Sequence, residues 1–206
     1  MKLKPEDLED HCKYRELLKI PYDELITFVL DYIRRKSGVM IFFWSSCIVF
    51  LGLALTVRIN IAGYFPLKNI LFHSLLGFII FPILSIPVHE SLHIIPYFIS
   101  GARRIRIGME LKQYFFYVTA HRHVTTPAQF WFVALVPFVT TNLVVLYLVF
   151  ALPGLWKWSF AVFLFVHTTM CAGDFAMLNF FFLNRRKKIF TWDDFDKKIA
   201  YFYEEI

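Results

Sequence analysis

Hydrophobic and polar positions divide the 206 residues into long apolar runs separated by short charged stretches. Four runs, residues 39–57, 70–99, 130–152 and 155–183, are long enough to cross a bilayer as helices. The second and fourth have length to spare for tilt or a kink. Ahead of the first run, Leu25, Ile26, Val29, Leu30 and Ile33 recur at helical spacing with charge on the opposite face, a stripe suited to the membrane surface. Beyond the last run, Trp192, Phe195, Ile199 and Phe202 recur at three and four residues, with Thr191 as a cap and Asp193 and Asp194 in the first turn. This spacing predicts an amphipathic C-terminal helix.

Between the second and third runs the pattern changes. Residues 103–107 and 115–119 alternate or carry strand-favouring side chains, with Gly108 as a turn between them. They predict a short hairpin at the cytoplasmic surface, either a solvated loop that orients the protein or a sheet edge to which an extended substrate adds a strand. The expected fold is an all-α membrane protein of about four transmembrane helices with that one hairpin. Its parts are a cytoplasmic amphipathic segment (1–38), a transmembrane unit carrying the candidate chemistry (39–183) and a cytoplasmic amphipathic helix (184–206).

Composition strengthens the membrane reading: 58% of residues are hydrophobic, 19% aromatic, and the mean hydropathy is +0.54. The first ten residues are charged and lack an apolar core, so no cleavable signal peptide is expected and the first span acts as its own insertion signal. Charge then sets orientation. Arg34, Arg35 and Lys36 precede the first span, Arg103, Arg104, Arg106, Lys112 and Arg122 follow the second, and Arg185, Arg186, Lys187 and Lys188 follow the fourth. The two remaining loops hold only Arg58 with Lys68, and Lys157. Basic loops stay inside, so both termini are expected in the cytoplasm of a multi-pass protein of the cell membrane. The net charge of +6 is spent on topology, and its clusters flank spans instead of forming a nucleic-acid-binding domain. Cys12, Cys47 and Cys171 have no CxxC spacing and read as packing residues.

The candidate chemistry lies in the second span, at His89-Glu90-Ser91-Leu92-His93. Residues four apart share a helix face, so His89 and His93 can offer two imidazoles to one ion while Glu90 reaches a water there as general base. A catalytic zinc takes three protein ligands and keeps one position open. Apart from the motif, the fourth span contains Asp174 and His167, ionisable residues that are each costly at membrane depth. Counting about 1.5 Å of rise per residue from the flanking arginines sets Asp174 level with His89, which favours Asp174 as third ligand. His167 lies two turns deeper and reads as an alternative ligand, a hydrogen-bonding support, or a contact to substrate or oxyanion. Asn142, in a polar patch with Pro137, Thr140 and Thr141, reads as an interhelical hydrogen-bonding group or a substrate contact. Pro82, Pro87 and Pro96 free backbone carbonyls around the motif, either as ordinary kinks or where backbone lines a cavity.

HESLH in one span, a further span, and then HTTMCAGDF resemble the bacterial putative zincin peptidase family, membrane proteins similar in layout to the site-2 proteases. The resemblance covers residues 71–183. It implies a three-helix zinc-binding core with His89, His93 and Asp174 as ligands and Glu90 as catalytic base. One departure is that site-2 proteases usually have glycine after the aspartate, whereas Gly173 precedes Asp174 and Phe175 follows it.

The favoured function is a membrane-embedded zinc metalloprotease hydrolysing peptide bonds of membrane-bound or membrane-adjacent substrates. The alternative is a non-enzymatic immunity, adaptor or chaperone-like membrane protein with a structural or remnant metal site. A metal transporter is disfavoured, because the spans hold too few acidic stations for an ion path.

Overall fold

In the computed structural model, residues 3–110 and 115–206 are described. The amphipathic stripe forms helix α1 (Leu25–Arg34), and Ser37 then caps α2 (Gly38–Asn60), its hydroxyl accepting the Met40 N–H at 3.2 Å. The second span is α3 (Leu67–Leu75) continued into α4 (Phe81–Ile99) through a π turn at Leu76–Ile80. Pro82 supplies no N–H to the ladder, and the Phe81 N–H reaches back five residues to the Leu76 carbonyl. Helix α5 (Pro127–Ala151) starts at a capping box between Thr126 and Gln129. The last apolar run is broken at Cys171 into α6 (Gly154–Met170) and α7 (Ala172–Leu183), bent by 42°.

Three helical stretches, Gly38–Asn60, Leu67–Ile99 and Pro127–Ala151, are long and apolar enough to cross a membrane, and the bent α6–α7 pair makes a fourth crossing if it is one span. Their outward faces expose Ile41, Ile48, Ile59, Leu84, Leu143 and Tyr147, a greasy belt suited to acyl chains. Inside, Phe43 from α2, Phe138 from α5 and Phe175 from α7 pack together with Leu178. At Gly77 the backbone of the π turn comes close to α6: an added Cβ would lie 2.5 Å from the Ser159 carbonyl oxygen and 2.8 Å from Val162 Cβ. Polar links hold the same contact, with His73 Nδ1 2.7 Å from Ser159 Oγ and Trp158 Nε1–H donating to Ser74 Oγ at 2.9 Å.

The protein is mostly helical, but strands replace the C-terminal helix of the all-α expectation, and a further strand precedes α1. β1 (Tyr14–Pro21), β4 (Ile189–Asp194) and β5 (Ile199–Glu205) form an antiparallel sheet in the order β1-β5-β4. The expected C-terminal helix is therefore the β4–β5 hairpin, in which Thr191 faces Phe202 and Trp192 stacks on Tyr201 at 4.4 Å. Residues such as Ile189, Trp192, Ile199 and Phe202 favour strands as well as matching helical spacing. What decides between the two is β1, far away in sequence, which covers the other edge of β5.

The hairpin expected between the second and third runs is present as β2 (Ile105–Glu110) and β3 (Phe115–Ala120). Gly108 is not its turn: it lies within β2 opposite Tyr117, whose ring occupies the space a Cβ would need. The connecting turn, which includes Lys112, lies outside the described residues. Bridges from His121 to Asp193 and from Thr125 to Thr191 join this hairpin to the larger sheet. All five strands belong to segments preceding α2, between α4 and α5, or after α7, so the sheets cluster at one end of the helices.

Candidate metal centre

Helix α4 presents His89, Glu90 and His93, and the first turn of α7, just past the break at Cys171, presents Asp174. Asp174 Oδ2 lies 3.3 Å from His89 Nε2, and its Oδ1 lies 3.6 Å from His93 Nε2. The two helices thus bring together residues 85 positions apart, at the common depth expected from helical rise.

Hydrogen bonds behind these groups fix where the protons are. The Thr168 hydroxyl donates to the Leu164 carbonyl at 2.8 Å and so accepts from Asn142 Nδ2 at 3.1 Å. That turns Asn142 Oδ1, an obligate acceptor, toward His167 Nδ1 at 2.8 Å. A neutral His167 then offers its Nε2 lone pair to the Nδ1–H of His89, 3.3 Å away. His89 is left with a lone pair on Nε2, facing Asp174. His93 reaches the same state independently, since its Nδ1 lies 3.0 Å from the Val133 carbonyl and must donate to it. With both rings neutral, two imidazole lone pairs and a carboxylate, all acceptors, converge on one point.

Such a set repels itself unless a cation lies between its members. Ligands around a tetrahedral zinc with bonds of 2.0–2.1 Å sit about 3.3 Å apart, which matches the contacts to Asp174. Among the described residues, His89, His93 and Asp174 form one of three groups whose ligand atoms lie within 4.8 Å of one another and could hold a metal ion. In the group of His89, His167 and Cys171, the two histidines already bond to each other and the thiol bonds to the His167 carbonyl at 3.3 Å. In the group of His121, Asp194 and Asp196, His121 Nδ1 accepts the Phe195 N–H at 3.1 Å, which leaves a proton, not a lone pair, on Nε2. Only the first group presents unsatisfied acceptors from all its members.

A cavity of about 490 Å³ opens onto this group and runs to the sheets. Glu90 lines it and makes no hydrogen bond or ion pair to a described residue. His167, fully buried, and Asn142 do not line the cavity and stand behind His89 instead. Further along the cavity are Tyr97, one turn beyond His93, and Asp193 of β4. Burial pushes the Asp193 carboxyl up to about 6, against the pull of the Thr119 and Tyr22 hydroxyls and the His121 ring. Tyr22 Oη lies 3.2 Å from Asp193 Oδ1 and is itself raised by burial and that charge. Sequence reasoning singled out neither residue for the site. Tyr97 was within reach, being four residues from His93 on the same face, whereas Asp193 depends on β4 being a strand.

The model of the family described as "Putative zincin peptidase" matches residues 82–189, from Pro82 just before the motif to the first residue of β4. The chain belongs to that family. Membership implies zinc and peptide substrates, and it agrees with the resemblance carried by HESLH and HTTMCAGDF. Searches of curated proteins and of solved structures found no match to the chain.

Proposed function

We propose that this family member is a membrane-embedded zinc metalloprotease that hydrolyses a peptide bond of a membrane-bound or membrane-adjacent substrate. The observation that carries the reading is the convergence of three unsatisfied acceptors, His89 Nε2, His93 Nε2 and Asp174, beside the unpartnered carboxylate of Glu90 in one cavity. Zinc held there would polarise the scissile carbonyl and acidify water. Glu90 takes a proton from the attacking water as its oxygen bonds to the carbonyl carbon. It returns that proton to the amine nitrogen as the carbon–nitrogen bond breaks. His167 and Asn142 contribute by holding His89 in one tautomer and one orientation.

The layout supports a substrate entering from the sheet end. Phe116, Tyr117, Val118 and Thr119 of β3 line the cavity, so an extended peptide can lie along this strand on its way to Glu90. With both termini cytoplasmic, as the basic loops favour, this entrance faces the cytoplasm. Mostly apolar walls exclude bulk water from the bond under attack.

The deciding experiment measures metal per chain in detergent-purified protein and then hydrolysis of a peptide pool by mass spectrometry. About one zinc in wild type, lost in His93→Ala and Asp174→Ala but kept in Glu90→Gln, together with hydrolysis abolished by Glu90→Gln, is the expected result. Metal without any Glu90-dependent cleavage would favour the non-enzymatic alternative, and a folded, zinc-supplied wild type without metal would overturn the centre itself.

A further inference from the structure

The cavity is acidic although the chain is basic. Among the described residues it is lined by three carboxylates, Glu90, Asp174 and Asp193, and by no lysine or arginine, whereas the whole chain has 22 Lys and Arg against 16 Asp and Glu. Asp174 faces the histidines and Glu90 lies beside them, which leaves Asp193 as the carboxylate at the other end. Three other carboxylates of the sheets have cations: Glu110 pairs with Lys198, Glu204 with Arg15 and Lys187, and Glu205 with Lys188. Asp193 pairs with no lysine or arginine among the described residues: Tyr22 Oη lies 3.2 Å from it, and the Thr119 hydroxyl and the His121 ring are the other groups that act on it. An ionised carboxylate withdrawn from water without a counter-charge is unfavourable, and a cationic ligand offsets that cost.

A second observation marks the same place. Tyr97 is 6% exposed and lines the cavity, yet its hydroxyl has no hydrogen-bond partner among the described residues. It follows His93 by one turn on α4 and shares the cavity with Asp193, Asp174 and Glu90. An ammonium group in this part of the cavity has the Tyr97 oxygen and the Asp193 carboxylate as acceptors. Its aliphatic stem would rest against Tyr22, Phe116 and Tyr117, which also line the cavity.

Building on the peptidase reading above, we propose that Asp193 and Tyr97 form a subsite for a cationic group of the substrate, two to three residues from the bond that is cut. The spacing follows from α4, where the seven residues from Glu90 to Tyr97 rise about 10 Å. An extended peptide covers that distance in about three residues. The cation is a lysine or arginine side chain, or a free α-amine at the same distance.

The test measures binding and cleavage separately. Fluorescent peptides with blocked ends, identical except for Lys, Leu or Glu scanned along the sequence, are titrated onto detergent-solubilised, zinc-supplied Glu90→Gln protein. A further Leu peptide with a free amino terminus distinguishes the α-amine from a side chain. The expected result is binding of one Lys peptide, or of the free-amine peptide, at least tenfold tighter than its Leu or blocked counterpart, with the Glu peptide weakest. Adding Asp193→Asn reduces that ratio to below about twofold, and adding Tyr97→Phe, which keeps the ring, reduces it part of the way. The same ratios should appear in kcat/KM for protein with Glu90 intact. Equal binding of Lys, Leu and free-amine peptides, or a preference that survives both substitutions, would overturn the subsite. A preference abolished by Asp193→Asn but unaccompanied by hydrolysis would keep the subsite and overturn the peptidase reading.

Discussion

His89 Nδ1 lies 3.3 Å from His167 Nε2, so the ring nitrogen opposite the one facing Asp174 is held by a second, fully buried histidine. His167 is held in turn by Asn142 and, through it, by Thr168 and the Leu164 carbonyl. The orientation of one candidate ligand is thus referred to the backbone of α6.

Removing this support without removing a ligand should weaken the metal and leave it bound. His167→Ala is expected to lower zinc affinity about 10- to 100-fold, the range found for groups that orient ligands. Titration against a competing chelator checks it. Unchanged affinity would mean that His89 needs no such support.

Gly77 and Gly173 make opposite predictions. Gly77→Ala drives a methyl against the Ser159 carbonyl and Val162, and should destabilise by about 1–3 kcal/mol. Gly173 has nothing within 4 Å of an added Cβ, so Gly173→Ala should fold at least as well as wild type while its methyl intrudes on the cavity it lines. Thermal unfolding in detergent separates the two, and equal melting temperatures would refute the close approach at the π turn.

Burial of Asp193 gives stability a readable pH dependence. Tyr22, Tyr97, Tyr117, Thr119 and His121 surround or act on this carboxyl, and burial outweighs them to hold it near 6 against an ordinary 3.8. The folded state therefore binds the proton more tightly than the unfolded chain does. This group's contribution to stability is greatest below pH 4 and is lost as pH rises through 6. Asp193→Asn should stabilise the protein by about 2 kcal/mol at pH 7.5, with the gain disappearing toward pH 4. A pH-independent difference in melting temperature would contradict it.

Asn179 is fully buried in α7 and donates to the carbonyls of Tyr32 at 2.6 Å and Arg35 at 2.9 Å, tying the end of α1 to the helix that bears Asp174. Asn179→Leu leaves two helix-end carbonyls without this donor and should cost about 1–3 kcal/mol. Faster proteolysis between α1 and α2 than in wild type is the expected sign. Equal rates would show that packing of Phe28 and Tyr32 on Phe180 holds α1 unaided.

The centre could be read largely from the sequence because each of its cues is local or one-dimensional. HESLH needs only helical periodicity, and the level of Asp174 needs only a count of residues from the basic flanks. The spans were legible for the same reason. What stayed hidden depends on pairing across the chain. Nothing near Trp192 or Phe202 announces that Tyr14–Pro21 will complete their sheet, and the two residues satisfy a helical spacing by coincidence. Asp193, assigned to the first turn of a helix, could not be placed in the cavity until that segment became a strand. His167 and Asn142 were identified as polar oddities within apolar runs, but which faces which is decided by the packing of α4, α5 and α6.

The middle strand of the larger sheet, β5, comes after every helix it depends on, whereas its partner β1 precedes them all. As the chain is synthesised, β1 emerges before the candidate spans and meets its partner β5 only after them. Asp193 and Ala200, which close the sheet side of the cavity, arrive only afterwards. A ribosome-bound precursor therefore carries Glu90 and both histidines without a finished chamber around them. The sheet side of the cavity is completed last, when β1 and β5 meet.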